Sequence, residues 1–246
     1  SPKGKLLGHA STANRKDVRN AVEAMNAAKS WGKTTGHLRA QILYYIAENL
    51  SARGDELAKR LKDMTGKNGT AEVDHAINTL FTFAAWADKY DGQVHGVPIR
   101  GVALAMKEPV GKIAAFCADD HPLLGIVSPM AAAIAMGNRT TLIASEPFPL
   151  AATDLYQILE TSDVPAGVVN ILTGSHSELA PHVAGHADID AVWSFSGADI
   201  STTIERASAN NLKRTWVNNG KALQPTALDM LAAATEVKNI WIPYGA

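Results

Sequence analysis

The chain carries a single cysteine, Cys117, at the end of the apolar run Lys112 to Cys117. A thiolate can attack a carbonyl, but a cysteine in such a run reads as a small buried hydrophobe. Two carboxylates follow in Ala118-Asp119-Asp120-His121-Pro122. A carboxylate pair can do general acid–base work. Adjacent residues in a loop leaving a strand point apart, so Asp119 and Asp120 read as an exposed acidic turn. His182 and His186 stand four apart, a helical spacing compatible with metal ligation, with His176 nearby. We assign them no metal. Ser128-Pro129 reads as a helix N-cap followed by proline at the first helical position, not as a reactive serine. The sequence contains no serine-hydrolase elbow, phosphate-cradling P-loop or zinc-type cysteine pair. No residue of the chain is assigned a catalytic role.

The elements that would position these residues follow from composition and periodicity. With 246 residues, 46% hydrophobic and 19% charged, the chain can bury a sizeable core as one large or two small domains. Lysine plus arginine number 23 against 24 acidic residues, which leaves no net field to hold nucleic acid or anionic lipid. One cysteine cannot form an internal disulfide, in keeping with a reducing compartment, and cytoplasm is the expectation. No signal-peptide pattern is evident at the start, and the most apolar stretch, Pro122 to Met136, is shorter than a membrane span.

From Asn14 to about Tyr90, apolar residues recur at helical spacing: Val18, Val22 and Met25, then Leu38, Ile42, Ile46 and Leu50, then Leu57, Leu61 and Met64, then Val73, Ile77 and Leu80. Gly66 looks like a left-handed cap between two of these helices. Val94 to Ile99 and Val102 to Met106, separated by Arg100-Gly101, predict a β-hairpin whose arms are too short to stand alone. Strand-like segments then alternate with helical ones: Lys112 to Cys117, Thr140 to Ala144, Val168 to Leu172, Ala191 to Ser196 and Leu212 to Val217. That alternation predicts an α/β fold, a Rossmann-like doubly wound parallel sheet covered on both faces. Leu223 to Ala234 reads as a short helix, and Glu236 to Ile242 as a terminal strand stopped by Pro243.

The motifs fall in a telling order: Glu108-Pro109-Val110-Gly111-Lys112, His121-Pro122-Leu123-Leu124, Gly137-Asn138, Ser145-Glu146, Pro149-Leu150, Pro165-Ala166-Gly167-Val168-Val169-Asn170 and Phe195-Ser196-Gly197. Together with Trp31, Arg39, Leu43, Ile46-Ala47 and Trp86-Ala87-Asp88, this order resembles the aldehyde dehydrogenase superfamily over nearly the whole chain, taken without its catalytic domain. Asn218-Asn219-Gly220-Lys221 leads within a few residues to Thr235-Glu236-Val237-Lys238, where complete members place that domain. The nucleophilic cysteine belongs to the missing part. The general-base glutamate is also absent from Trp216-Val217-Asn218-Asn219-Gly220-Lys221, and Asp120 stands where the resemblance implies an oxyanion-stabilising asparagine.

The same resemblance implies a worn cofactor site. Ile143 takes the place of a lysine that would hold the adenosine ribose, while Glu146 remains. In Ser196-Gly197-Ala198-Asp199-Ile200-Ser201-Thr202, Ala198 replaces a serine, Thr202 replaces a second glycine, and Asp199 adds a charge that competes with phosphate. Ser145, Glu146 and Gly197 are the vestigial cofactor-binding residues. Losing two or three polar contacts weakens binding on the order of a hundredfold or more. No cofactor is expected, or NAD at most weakly.

What the resemblance leaves intact is an oligomerisation arm, 92–107 plus 223–246, beside a cofactor-binding-like domain, 1–222, made of a helical section, 14–90, and the Rossmann-like core, 108–222. Such an arm joins the catalytic-domain sheet of a neighbour by strand addition, here through Val102, Leu104, Met106, Val237, Ile240 and Ile242. The expected partner is a complete aldehyde dehydrogenase domain, as in the family-16 type, whose truncated second copy this chain most resembles. Gly4-Lys5-Leu6-Leu7-Gly8 enters the family pattern partway, as though cut from a longer polypeptide. The expected function is noncatalytic assembly or regulation. The alternatives are a nucleotide-sensing domain and a half-enzyme completed by another chain.

Overall fold

The computed structural model describes residues 1–2, 4–222 and 225–244. Four helices form the front: α1 (Arg15–Ala27), α2 (Gly36–Ala52), α3 (Gly54–Thr65) and α4 (Gly69–Trp86). Their ends obey local chemistry. Asn14 and Asp17 make a reciprocal capping box on α1, Thr35 accepts from the Leu38 N–H to start α2, and Asn68 accepts from Thr70 to start α4. Gly66 closes α3 in the left-handed conformation, φ 76°, as its position in the sequence suggested.

The five parallel strands are β3 (Lys112–Phe116), β4 (Arg139–Ile143), β5 (Val169–Leu172), β6 (Ala191–Ser194) and β7 (Arg214–Val217), in the spatial order β5-β4-β3-β6-β7. Helices α5 (Leu124–Ala135), α6 (Leu150–Glu160), α7 (His176–Ala184) and α8 (Ala198–Ser208) make the crossovers. Both faces are covered, which is why the central strands are largely apolar, with Thr140, Thr141 and Ser194 as buried polar exceptions. One face packs Ala115, Cys117, Leu142 and Trp193 against α5 and the front helices α2–α4. The other packs Ala114, Phe116, Ile143 and Val192 against α1, α7 and α8. This is the expected doubly wound sheet.

Two local expectations need correction. Ser128-Pro129 does not begin a helix: both residues are buried inside α5, which starts a turn earlier at Leu124. The cap comes from elsewhere, for the Glu72 carboxylate of α4 accepts from the N–H groups of Leu123 (2.7 Å) and Leu124 (3.1 Å). The β7 strand begins at Arg214 rather than Leu212, which adopts a left-handed backbone with φ 54°.

The hairpin forms with shifted ends. β1 (Gly92–Gly96) pairs antiparallel with β2 (Gly101–Pro109), Gly92 opposite Met106 and Gly96 opposite Val102. Residues 97–100 turn instead of extending β1, because Pro98 has no N–H to give a ladder. Helix α9 (Ala227–Ala233) and strand β8 (Thr235–Pro243) follow; the expected helix start at Leu223 lies outside the described residues. β8 runs to Pro243, one residue beyond the expected end, where it sits opposite Gly101 on β2. The result is a three-stranded sheet, β1-β2-β8. Within the segment expected to form the arm, Met230 and Leu231 of α9 and the following Ala234 are buried in the main core beneath α5.

Candidate functional site at the head of the sheet

Strand order reverses direction between β3 and β6, and in open parallel sheets the crevice at the carboxyl ends of such a pair is where ligands bind. In this chain the crevice holds a histidine. His176 is the first residue of α7 and only 3% exposed. Its Nε2 lies 2.7 Å from the Ala144 carbonyl, just past β4, and its Nδ1 lies 2.9 Å from Ser196 Oγ, just past β6. The ring stands edge-on to Phe116 at the end of β3, with centroids 5.4 Å apart. A carbonyl can only accept, so Nε2 carries the hydrogen and the Ser196 hydroxyl donates to Nδ1. One side chain thus spans the ends of three strands with both nitrogens satisfied.

The surrounding acids are equally committed. The backbone N–H of His176 donates to Glu146 Oε2 at 2.8 Å, so the Glu146 carboxylate occupies the positive end of α7. Ser145 Oγ donates to Asp119 Oδ1 at 2.7 Å, and the Glu146 N–H donates to the same oxygen at 3.2 Å. Asp119 therefore ties the exit of β3 to the exit of β4. Gly197 is the N-cap of α8, and Asp199 lies in that helix's first turn. A Cβ at Gly197 would come within 2.7 Å of the Asp199 carboxylate. With Glu72 capping α5, each of the three helices α5, α7 and α8 carries one of the chain's own carboxylates at or near its N-terminus.

Of the three cofactor residues expected from the sequence, Glu146 and Ser145 thus meet in one network through Asp119, and Gly197 lies beside it at the Ser196 exit. Ile143, at the position expected to have lost a ribose-holding lysine, is fully buried and offers no polar group. The sequence reading missed the bridge from His176 to Ser196. The sequence carried only half a signal: His176 follows one predicted parallel strand and Ser196 ends another, with nothing local to pair them.

The other candidates are also placed. Cys117 is fully buried, and burial together with the negative charge of Asp119 pushes its thiol far above the ordinary range, so it is protonated and inert. Asp119 and Asp120 are exposed, as the sequence suggested. His182 and His186 are half-buried, and His186 Nδ1 accepts from the Asp188 N–H. Among the described residues, no group of three histidine, cysteine or acidic side chains is placed to hold a metal. A groove of about 860 Å³ runs along β7 and α9, walled by Trp193, Phe195 and Trp216, and lies away from the His176 network.

The expected interaction residues divide between the faces of the three-stranded sheet. Val102 faces Ile242 and Leu104 faces Ile240, while Met106 faces Lys238. Directly opposed residues share a face, so Val102, Leu104, Met106, Ile240 and Ile242 lie on one side, with Val94 opposite Leu104. Val237 opposes Lys107 and belongs to the other side, with Trp241. Among the described residues, no helix is long and apolar enough to cross a membrane.

Residues 1–223 match the aldehyde dehydrogenase family. An aldehyde dehydrogenase of Agaricus bisporus is 30% identical over 226 residues, covering 88% of this chain and 45% of that protein. Betaine aldehyde dehydrogenase from Staphylococcus aureus, solved in complex with NAD+, superposes with a TM-score of 0.82 at 26% identity, covering 87% of this chain and 44% of that one. Indole-3-acetaldehyde dehydrogenase in its apo form gives a TM-score of 0.83 at 26% identity, over 88% and 52% of the two chains. The chain therefore spans about half the length of the relatives it matches.

Proposed function

Because the chain belongs to the aldehyde dehydrogenase family, we propose that it is a noncatalytic module that assembles with, or regulates, a complete aldehyde dehydrogenase domain, probed through its three-stranded sheet. The observation that carries this reading is the apolar face of that sheet. Val94, Met106, Ile240 and Ile242 are all exposed there, on a surface continuous from β1 to β8. Among the described residues, the outer edge of β8 pairs with no further strand, and alternate residues along this nine-residue strand offer backbone groups for strand addition. An apolar strand edge of this length is an aggregation hazard unless a partner covers it.

The reading extends to catalysis and cofactor. The only cysteine is buried with a protonated thiol, which supports a role without thiolate chemistry. A dinucleotide needs an open crevice and a free helix N-terminus for its pyrophosphate, and here His176 and Glu146 fill them. The proposal therefore includes no nicotinamide cofactor, although the similar betaine aldehyde dehydrogenase binds NAD+. We place the module in the cytoplasm, in a two-domain polypeptide of the family-16 type. A nucleotide-sensing role for Glu146 and Gly197 would instead show itself as saturable NAD binding by the wild-type chain.

The test is light scattering of the chain mixed with a complete aldehyde dehydrogenase domain from the same organism. A 1:1 or higher complex is expected. Ile240→Lys, on the apolar face, should abolish it, while Asn239→Lys, on the opposite face, should leave it intact. An Ile240→Lys chain that still assembles would refute the sheet as the interface.

A further inference from the structure

We propose that His176 is an internal plug: its imidazole closes a dinucleotide crevice that the sheet's topology would otherwise provide, so that removing the ring opens a nucleotide site. The proposal concerns the head of the sheet and does not depend on the assembly role of the β1-β2-β8 sheet.

Three observations carry it. The first is position, since the ring sits where β3 and β6 diverge, above Phe116 and between Ala144 and Ser196. The second is anchoring. Both ring nitrogens and the backbone N–H of the same residue have partners, and the side chain is 3% exposed, so the imidazole is a fixed part of the crevice and not a mobile lid. The third is chemistry. The contacts His176 makes are of the kinds a bound nucleotide would seek: an aromatic edge, a carbonyl acceptor, a serine hydroxyl and a helix N-terminus.

Dinucleotide folds keep the first turn after such a strand bare, so that the backbone can approach the pyrophosphate. α7 follows the edge strand β5, and its first residue, His176, carries its ring across to the ends of β3 and β6, where it holds a ligand off them. Its neighbour Glu146 adds a negative charge at the same helix end. Ring and carboxylate exclude differently, one by volume and one by charge. Removing the ring alone should therefore give weak binding, and neutralising Glu146 as well should strengthen it.

The experiment is a calorimetric titration of the full chain with NAD to millimolar concentration. Wild type should show no saturable heat. His176→Ala should bind with a dissociation constant at least tenfold below the wild-type limit, His176→Ala/Glu146→Gln should bind more tightly still, and His176→Leu, which keeps the bulk, should not bind. Free imidazole should compete with NAD for the alanine variant and raise its melting temperature, as refilling of a vacated cavity requires. Wild-type binding equal to that of His176→Ala would overturn the proposal. So would a folded His176→Ala chain that binds imidazole but not NAD. If His176→Ala does not fold, Ser196→Ala releases one ring nitrogen without altering the backbone of α7. A gain in NAD affinity over wild type would then support the plug, and no gain would contradict it.

Discussion

Asn138 does more for this fold than its size suggests. It is fully buried between β4, the end of α5 and the end of α9. Its Oδ1 accepts from the Gly111 N–H at 2.8 Å, and its Nδ2 donates to the carbonyls of Ala133 (3.0 Å) and Ala234 (2.8 Å). Truncation leaves the Gly111 N–H with no side-chain acceptor in a water-poor setting, so Asn138→Ala should lose about 2–3 kcal/mol in urea unfolding. A loss below about 0.5 kcal/mol would mean that water replaces the amide. Cys117 gives a second prediction at this scale. Buried and with its thiol pushed up by desolvation and Asp119, it should resist thiol reagents at neutral pH and react only as the chain unfolds. Rapid labelling of the native protein would contradict this packing. Both residues were visible in the sequence, but only Cys117 declared its surroundings there, through the apolar run it ends. Asn138 gave no such sign, because two of its partners, Gly111 and Ala234, lie 27 and 96 positions away in the chain, a relation that no local pattern encodes.

At the scale of elements, α5 shows how a correct local rule can mislead. Serine before proline is a good N-terminal signal, yet the helix runs through Ser128 and Pro129 because its cap arrives from α4. Burial raises the Glu72 carboxyl above its usual 4.5, opposed by the two N–H groups it caps. A carboxyl raised on folding favours the native state most when protonated, and that contribution is lost as pH rises through the raised value. The stability of wild type relative to Glu72→Gln should therefore fall as pH climbs upward from about 4.5. An unchanged difference across that window would mean that Glu72 is not desolvated. Near neutral pH, Glu72→Ala should cost about 1–2 kcal/mol as a lost cap. The parallel strands and the hairpin were legible because apolar runs and turn residues are local signals. The partner of β8 was not, because pairing Thr235–Pro243 with Gly101–Pro109 joins residues far apart in the chain. The His176 bridge was hidden for the same reason: its anchors leave β4 and β6, which only the folded sheet brings together.

The whole molecule combines a closed head with an open flank. At the head, the chain's own histidine and carboxylates occupy the crevice and helix ends that a ligand would use. At the flank, a three-stranded sheet presents an apolar face and a long edge that is unpaired among the described residues. Packing satisfies the first internally, and a strand from another chain or domain would satisfy the second, which is why assembly is the function we propose. The most direct test is the mass, by light scattering, of this chain mixed with a complete aldehyde dehydrogenase domain from the same organism. The account predicts a stable complex that Ile240→Lys dissolves and Asn239→Lys does not. Two species that elute at their separate masses at micromolar concentration would contradict it.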